Sequence, residues 1–163
     1  MKHRLFFSGE FMEKVTLQSY TLERCQQFWQ NYEADPDMMD GSFSYDKNWV
    51  ECYWQRKCHE SNRRYFAVCI NEIVIGEVQL KSIDPVEKSA VLSIHLNQNS
   101  YKNRGFGTEA LRQMCDYGFH ELKLRKIFAD CLHRNHRSRH VLEKLDFQHL
   151  RSDDTFHYFV LEK

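Results

Sequence analysis

The residues from Tyr101 to Leu111 read Tyr-Lys-Asn-Arg-Gly-Phe-Gly-Thr-Glu-Ala-Leu. Two glycines stand where a loop turns into a helical pattern. The first turn of a helix has backbone N–H groups with no partner inside the helix. The helix dipole adds partial positive charge at the same end. Glycine lets a bound group approach the backbone, and Lys102 and Arg104 add full charges. The chemistry such a segment suits is the binding of a phosphate or diphosphate. The same spacing also occurs at ordinary loop–helix junctions, so Gly-x-Gly alone does not decide. No Gly-Lys-Ser/Thr follows, which excludes a P-loop. The three-glycine dinucleotide fingerprint, with an acidic residue about 20 positions on, is also missing.

Other reactive side chains point to less. His133, His136 and His140 include an i, i+4 pair, but no carboxylate or Cys stands at ligand spacing. Arg134, Arg137 and Arg139 would repel a cation, so no metal site is expected. Cys25, Cys52, Cys58, Cys69, Cys115 and Cys131 form no Cys-x-x-Cys pair. They read as reduced thiols filling core space. Cys115 or Cys131 as an acyl-carrying nucleophile would need a paired base, and none is visible. Asp35, Asp37 and Asp40 read as a solvated acidic loop, or as an attraction for a cationic amine.

The elements that position these residues belong to one domain over residues 1–163. Hydrophobic residues make up 42% and aromatics 14%, which argues against disorder. Lys plus Arg number 23 and Asp plus Glu number 23, so bulk electrostatics give no support for a nucleic-acid partner. No apolar stretch reaches membrane-spanning length, and the apolar run after Met1 is too short for a signal peptide. The expected location is the cytoplasm.

Short strands are expected at His3 to Phe7 and Phe11 to Gln18. Thr21 caps a helix from Leu22 to about Tyr32, and Asp46 caps another from Lys47 to His59. In the second, Trp49, Val50, Tyr53, Trp54 and Lys57 are spaced for a buried face. Arg64 to Ile70 and Ile73 to Lys81 read as a hairpin about Asn71-Glu72. Ser89 to Leu96 is the next strand, followed by the glycine loop and a helix from Thr108 to Glu121. Lys126 to Leu132 is a strand, His136 to Leu145 a helix, and Phe147 to Arg151 and Thr155 to Leu161 close the chain. The fold class is α/β (α+β), one sheet with helices on both faces. Val91 to Leu132 forms a βαβ unit with a right-handed crossover.

Two blocks in this order resemble the GNAT (Gcn5-related N-acetyltransferase) superfamily over almost the whole chain. The family loop Gln/Arg-x-x-Gly-x-Gly/Ala is matched by Lys102-Asn103-Arg104-Gly105-Phe106-Gly107, with Lys at the first position. Gly105 to Leu111 is similar to the RimJ/RimL-like branch. The second block, Asn-x-x-Ser-x-x-(Val/Tyr)-x-x-Lys-x-Gly-Phe, is matched from Asn135 to Phe147. Asp146 replaces its glycine, and Asp tolerates the left-handed conformation that a helix end needs. The Tyr that many members use as general acid falls at or beside Leu142.

The resemblance implies a mixed sheet of six to seven strands, flanked by about four helices and splayed at the strand before the glycine loop. It implies acetyl-CoA as co-substrate and direct attack on its thioester by an amine, from a protein N-terminus or a small molecule. Ile94, His95 and Leu96 would meet the pantetheine and the carbonyl. Arg104, Gly105, Phe106, Gly107 and Thr108 would bind the diphosphate, beside Lys102 and Asn103. Asn135, Ser138 and Leu142 would line the pantetheine arm, and Lys144 would reach a nucleotide phosphate. The basic run Arg134 to Arg139 reads as a solvated face, or as facing the 3′-phosphate. His95, Glu77 or Asp130 would act as general base, and Ser138 or water as acid. For each of these a plain structural role competes, a surface charge in the case of Glu77. A monomer or homodimer, with no metal, no nucleic acid and no membrane, completes the expectation. A non-catalytic acyl-CoA sensor on the same fold is the alternative.

Overall fold

The computed structural model describes residues 13–163. The strand expected at His3 to Phe7 lies outside them. Seven strands form one sheet in the order β1-β2-β3-β4-β5-β7-β6. They are β1 Val15–Ser19, β2 Arg64–Ile70, β3 Ile73–Asp84, β4 Ser89–Leu96, β5 Lys126–Leu132, β6 Gln148–Ser152 and β7 Phe156–Glu162. All neighbours are antiparallel except β4 and β5. Those two are joined by α3, Phe106–His120, as a parallel pair requires a crossover.

The remaining helices are α1 Leu22–Gln30, α2 Lys47–Cys58 and α4 His136–Lys144. Thr21 and Asp46 cap α1 and α2, accepting from the N–H groups of Arg24 and Trp49. Asp146 does adopt the left-handed conformation, with φ 65°. The helix α3 begins at Phe106, two residues before the expected Thr108, because left-handed Gly105 (φ 83°) is its N-cap.

Alternation along β2 divides the core. Val68 and Ile70 pack with Ala110, Met114 and Leu142 of α3 and α4. Ala67 and Cys69 pack with Phe28, Trp29 and Val50 of α1 and α2. Of the face expected on α2, only Val50 is buried, and Trp49 is 44% exposed.

Two irregularities shape the middle of the sheet. On β3, Val74 pairs with Cys69 but Gly76 with Val68, so Ile75 and Gly76 together face one residue. This bulge places Glu77 on the α1–α2 side together with Val74, where strict alternation would have sent it to the other face. A Cβ at Gly76 would lie 2.7 Å from the His95 carbonyl and 2.9 Å from Leu96 Cδ2, so the site admits only glycine. The second irregularity is a splay. β4 and β5 pair only from Ser89 to Val91 and from Lys126 to Phe128, then diverge.

Candidate active site

The splay leaves one edge of β4 open. The Asn97 N–H donates to the Ile75 carbonyl at 2.9 Å. Hydrogen bonds alternate sides along an antiparallel pair, so His95 and Ser93 also turn their amides toward β3. Leu92, Ile94 and Leu96 then aim theirs into the gap. Of the three positions expected to offer amides, His95 is the exception: its backbone is committed to the sheet and only its side chain faces the site.

At the end of this edge lies the N-terminus of α3. Glu109 N–H bonds the Gly105 carbonyl, whereas Phe106, Gly107 and Thr108 have no backbone acceptor among the described residues. Asn103 (φ 59°) and Gly105 are both left-handed, and the loop folds into a concave run of amides. A Cβ at Gly107 would touch only Leu96 Cδ1, at 3.8 Å. Packing does not demand glycine there, so the open space suits a group bound from outside. A cavity of about 340 Å3 runs along this loop, lined by Leu96, Lys102, Asn103, Gly105, Gly107 and Thr108, and on α4 by Lys144. A second cavity of about 500 Å3 occupies the splay, lined by His95, Asp130, Asn135 and Leu142. Ile94, Leu111, Ser138 and Met38 border both. The two cavities therefore adjoin, one along the unpartnered amides at the start of α3 and the other in the splay.

Several expected phosphate contacts are placed otherwise. The side chain of Lys102 is only 6% exposed and is bonded to Asp35 at 2.6 Å. Arg137 meets the same carboxylate at 2.6 Å. Asp35 is therefore a buried anchor, not a solvated loop acid. Its carboxyl sits below its ordinary value: burial opposes this, but the Lys102 bond, the Asp37 amide and the charges of Lys102 and Arg137 outweigh it. Arg104 pairs with Glu13 at 2.7 Å and lies over the Phe106 ring. The Phe106 side chain belongs to the core, so only its amide is available. Asn135 caps α4, its Oδ1 accepting from the Ser138 N–H at 3.0 Å. Arg134 and Arg139 pair with Asp40 and Glu143, so the basic run is largely committed.

Glu77 is the largest departure from the sequence reading. It is 2% exposed, not a surface charge. Its Oε1 accepts from Tyr53 at 3.0 Å and Tyr65 at 2.9 Å, and its Oε2 from Tyr20. Burial first, and then the charge of Glu77, push all three tyrosines up, so each remains a hydroxyl donor. His95, directly across the ladder, places Nδ1 3.3 Å from Oε1. The imidazole is 38% exposed and lines the splay cavity. With Nδ1 donating to a carboxylate, neutral histidine presents Nε2 as a proton acceptor. Asp130 is exposed on the wall formed by β5.

The sequence places Tyr53 on the inward face of α2, but does not show the bonds of Tyr20, Tyr53 and Tyr65 to Glu77. The hairpin register puts Tyr65 beside Ala67, the partner of Glu77, but the bulge conceals that arithmetic. Burial pushes the thiols of Cys115 and Cys131 up to about 12 and about 11, which removes them as nucleophiles at neutral pH. Among the described residues, no His/Cys/Asp/Glu cluster suited to a metal occurs, and no helix is long and apolar enough to cross a membrane.

This geometry has counterparts in known proteins. The family model for the acetyltransferase (GNAT) domain matches residues 14–148. The chain is 33% identical over 97 residues to YjcK of Bacillus subtilis (strain 168), named a probable N-acetyltransferase, covering 58% of this chain and 53% of that one. It is 29% identical over 120 residues to the spermidine N(1)-acetyltransferase of Escherichia coli (strain K12), covering 74% and 58%. The matches thus span little more than half the length of these relatives. Among solved structures, a chimera of the spermidine N-acetyltransferase SpeG from Vibrio cholerae and hSSAT superposes with a TM-score of 0.77 at 19% identity, covering 91% and 95% of the two chains. The Campylobacter jejuni N-acetyltransferase PseH, in complex with acetyl coenzyme A, gives 0.63 at 22% identity over 71% and 79%. These likenesses establish a shared fold. With the family match across most of its length, the chain belongs to the acetyltransferase (GNAT) domain family.

Proposed function

We propose that the protein is an N-acetyltransferase that moves an acetyl group from acetyl-CoA to a primary amine in a ternary complex. The observation that carries this reading is the continuity of the open β4 edge with the unpartnered N-terminus of α3, beside the His95–Glu77 pair. When bound, acetyl-CoA supplies an activated thioester. The amides of Phe106, Gly107 and Thr108 hold its diphosphate. Those of Ile94 and Leu96 orient the pantetheine arm and the carbonyl, where fixed donors stabilise developing negative charge.

The acceptor amine arrives as an ammonium of pKa about 10 and must lose a proton. His95 takes it at Nε2. Glu77, held by three tyrosine hydroxyls, fixes the ring and stabilises the imidazolium. Ser138, at the border of both cavities, donates toward the departing thiolate. A thiol pKa of about 8.5 makes that donation a modest contribution. Asp130 faces the incoming amine across the splay. The glycine-loop sequence supports a RimJ/RimL-like lineage within the family, whereas the relatives named above include spermidine enzymes. Thiol release from acetyl-CoA, followed with a panel of amines, tests the reading. Turnover with at least one amine is expected. Tight acetyl-CoA binding without release for any amine would leave a binding module instead.

A further inference from the structure

The splay cavity continues along the sheet beyond His95, and there its charge changes. Gln79 and Lys81 follow Glu77 on the same face of β3, since side chains alternate. On α2, Lys57 follows Tyr53 by one helical turn, i to i+4, on the same side. Both elements therefore run from the Glu77 environment toward a group of cations. Lys57, Lys81 and Arg63 all line the cavity, against one carboxylate, Asp130. Arg63 is held by Glu60 at 2.8 Å and by Gln79. Among the described residues, Lys57 and Lys81 have no carboxylate partner. Lys57 is held below its ordinary pKa, first by burial and then by Arg63, Arg56 and Lys81, against Glu60. The whole chain has 23 basic and 23 acidic residues, so this local excess is not a reflection of overall charge.

Three cations face this cavity, and Glu60, which pairs with Arg63, and Asp130 offset them only in part; like charges repel, and an anion among them relieves that repulsion. A polyamine would add to it. Resting on the acetyltransferase reading, we infer that the acceptor is a small amine that also carries an anionic group, a phosphate or a carboxylate. The amine lies at His95 and the anion among Lys57, Lys81 and Arg63. The four residue steps from Glu77 to Lys81 span about 13 Å at the usual strand rise, and the reach of a lysine shortens that distance. The cavity of about 500 Å3 has the size of a small-molecule site.

The test compares matched amines by thiol release. Glucosamine is set against glucosamine 6-phosphate, hexylamine against 6-aminohexanoate, and spermidine is the cationic arm. The anionic member of at least one pair should have a kcat/KM at least tenfold above its partner, and the pair that shows it separates phosphate from carboxylate. The ratio should shrink with added salt, and the double variant Lys57→Gln, Lys81→Gln should bring it close to one. A ratio near one in the wild type, or spermidine as the best acceptor, overturns the inference and leaves the acetyltransferase reading standing. If no amine releases thiol, that reading falls instead, and calorimetry with glucosamine 6-phosphate and 6-aminohexanoate judges the anion site separately. Binding of either one that is weakened tenfold or more in the double variant supports the site. Binding of neither, or equal binding by wild type and variant, overturns it.

Discussion

Asp35→Asn removes one negative charge at a point where three elements meet. The chain leaving α1 is sewn to the segment between β4 and the glycine loop by the Glu33 N–H on the Asn97 carbonyl at 2.7 Å and by the Asn99 N–H on the Glu33 carboxylate at 3.0 Å. Asp35 adds both ion pairs, to Lys102 from the loop and to Arg137 from α4. The side chains of Asp35 and Lys102 are each 6% exposed, and that of Arg137 is 29%. Breaking a buried pair from one side costs about 3–5 kcal/mol, because the other charge remains buried without its partner. Arg137 can reach water, which places the expectation near the lower end, about 3 kcal/mol. For a domain of this size that lowers Tm by about 6–12 °C. Thermal unfolding followed by circular dichroism at neutral pH measures it. Adding Lys102→Met should recover most of the loss, since both charges are then absent. A shift under about 2 °C for the single variant, or a double variant less stable than the single, would refute the anchor. The pH dependence has a definite sign. The folded carboxyl is depressed below its unfolded value of about 3.9. Its stabilisation is therefore complete above that value and lost as pH falls through the folded pKa. The gap in Tm between wild type and Asp35→Asn should be constant near neutrality and close below about pH 4.

Gly107→Glu should abolish acetyl-CoA binding by calorimetry with little change in Tm, because the site is open and φ is unstrained; retained affinity would remove the diphosphate cradle. Glu77→Gln should lower kcat by about 10²- to 10⁴-fold while KM for acetyl-CoA stays within a few-fold, and a kcat within threefold of wild type would remove the Glu77–His95 pair from the chemistry. Cys52 is the exposed thiol, while burial pushes Cys25, Cys58 and Cys115 up to about 12. A thiol reagent at pH 8 should modify one cysteine quickly in the folded protein and six in denaturant; three or more fast sites would contradict the packing.

Local chemistry was legible in the sequence. Thr21 and Asp46 cap the helices they precede, Asp146 takes the left-handed turn, and Gly105 with Gly107 opens α3 onto free amides. These depend on residues within a few positions of each other. Long-range chemistry was not legible. Asp35 and Lys102 are 67 positions apart, and the sequence gives a lysine beside two glycines no sign that a distant aspartate has claimed it. Glu77, Gln79 and Lys81 do share one polar face, as their alternation implies, but nothing local says that α1 and α2 roof it. The bulge at Ile75 and Gly76 adds one residue to the count and turns Glu77 beneath Tyr20, Tyr53 and Tyr65.

A sheet parted in mid-span carries two inner edges whose amides and carbonyls lack strand partners. A molecule that lies along the β4 edge completes the ladder and so becomes part of the folded state. Its concentration then enters the folding equilibrium directly: at a hundred times Kd, binding adds about 2.7 kcal/mol, or about 5–11 °C in Tm for a domain of this size. With acetyl-CoA as the proposed occupant of that edge, heat tolerance would follow its supply.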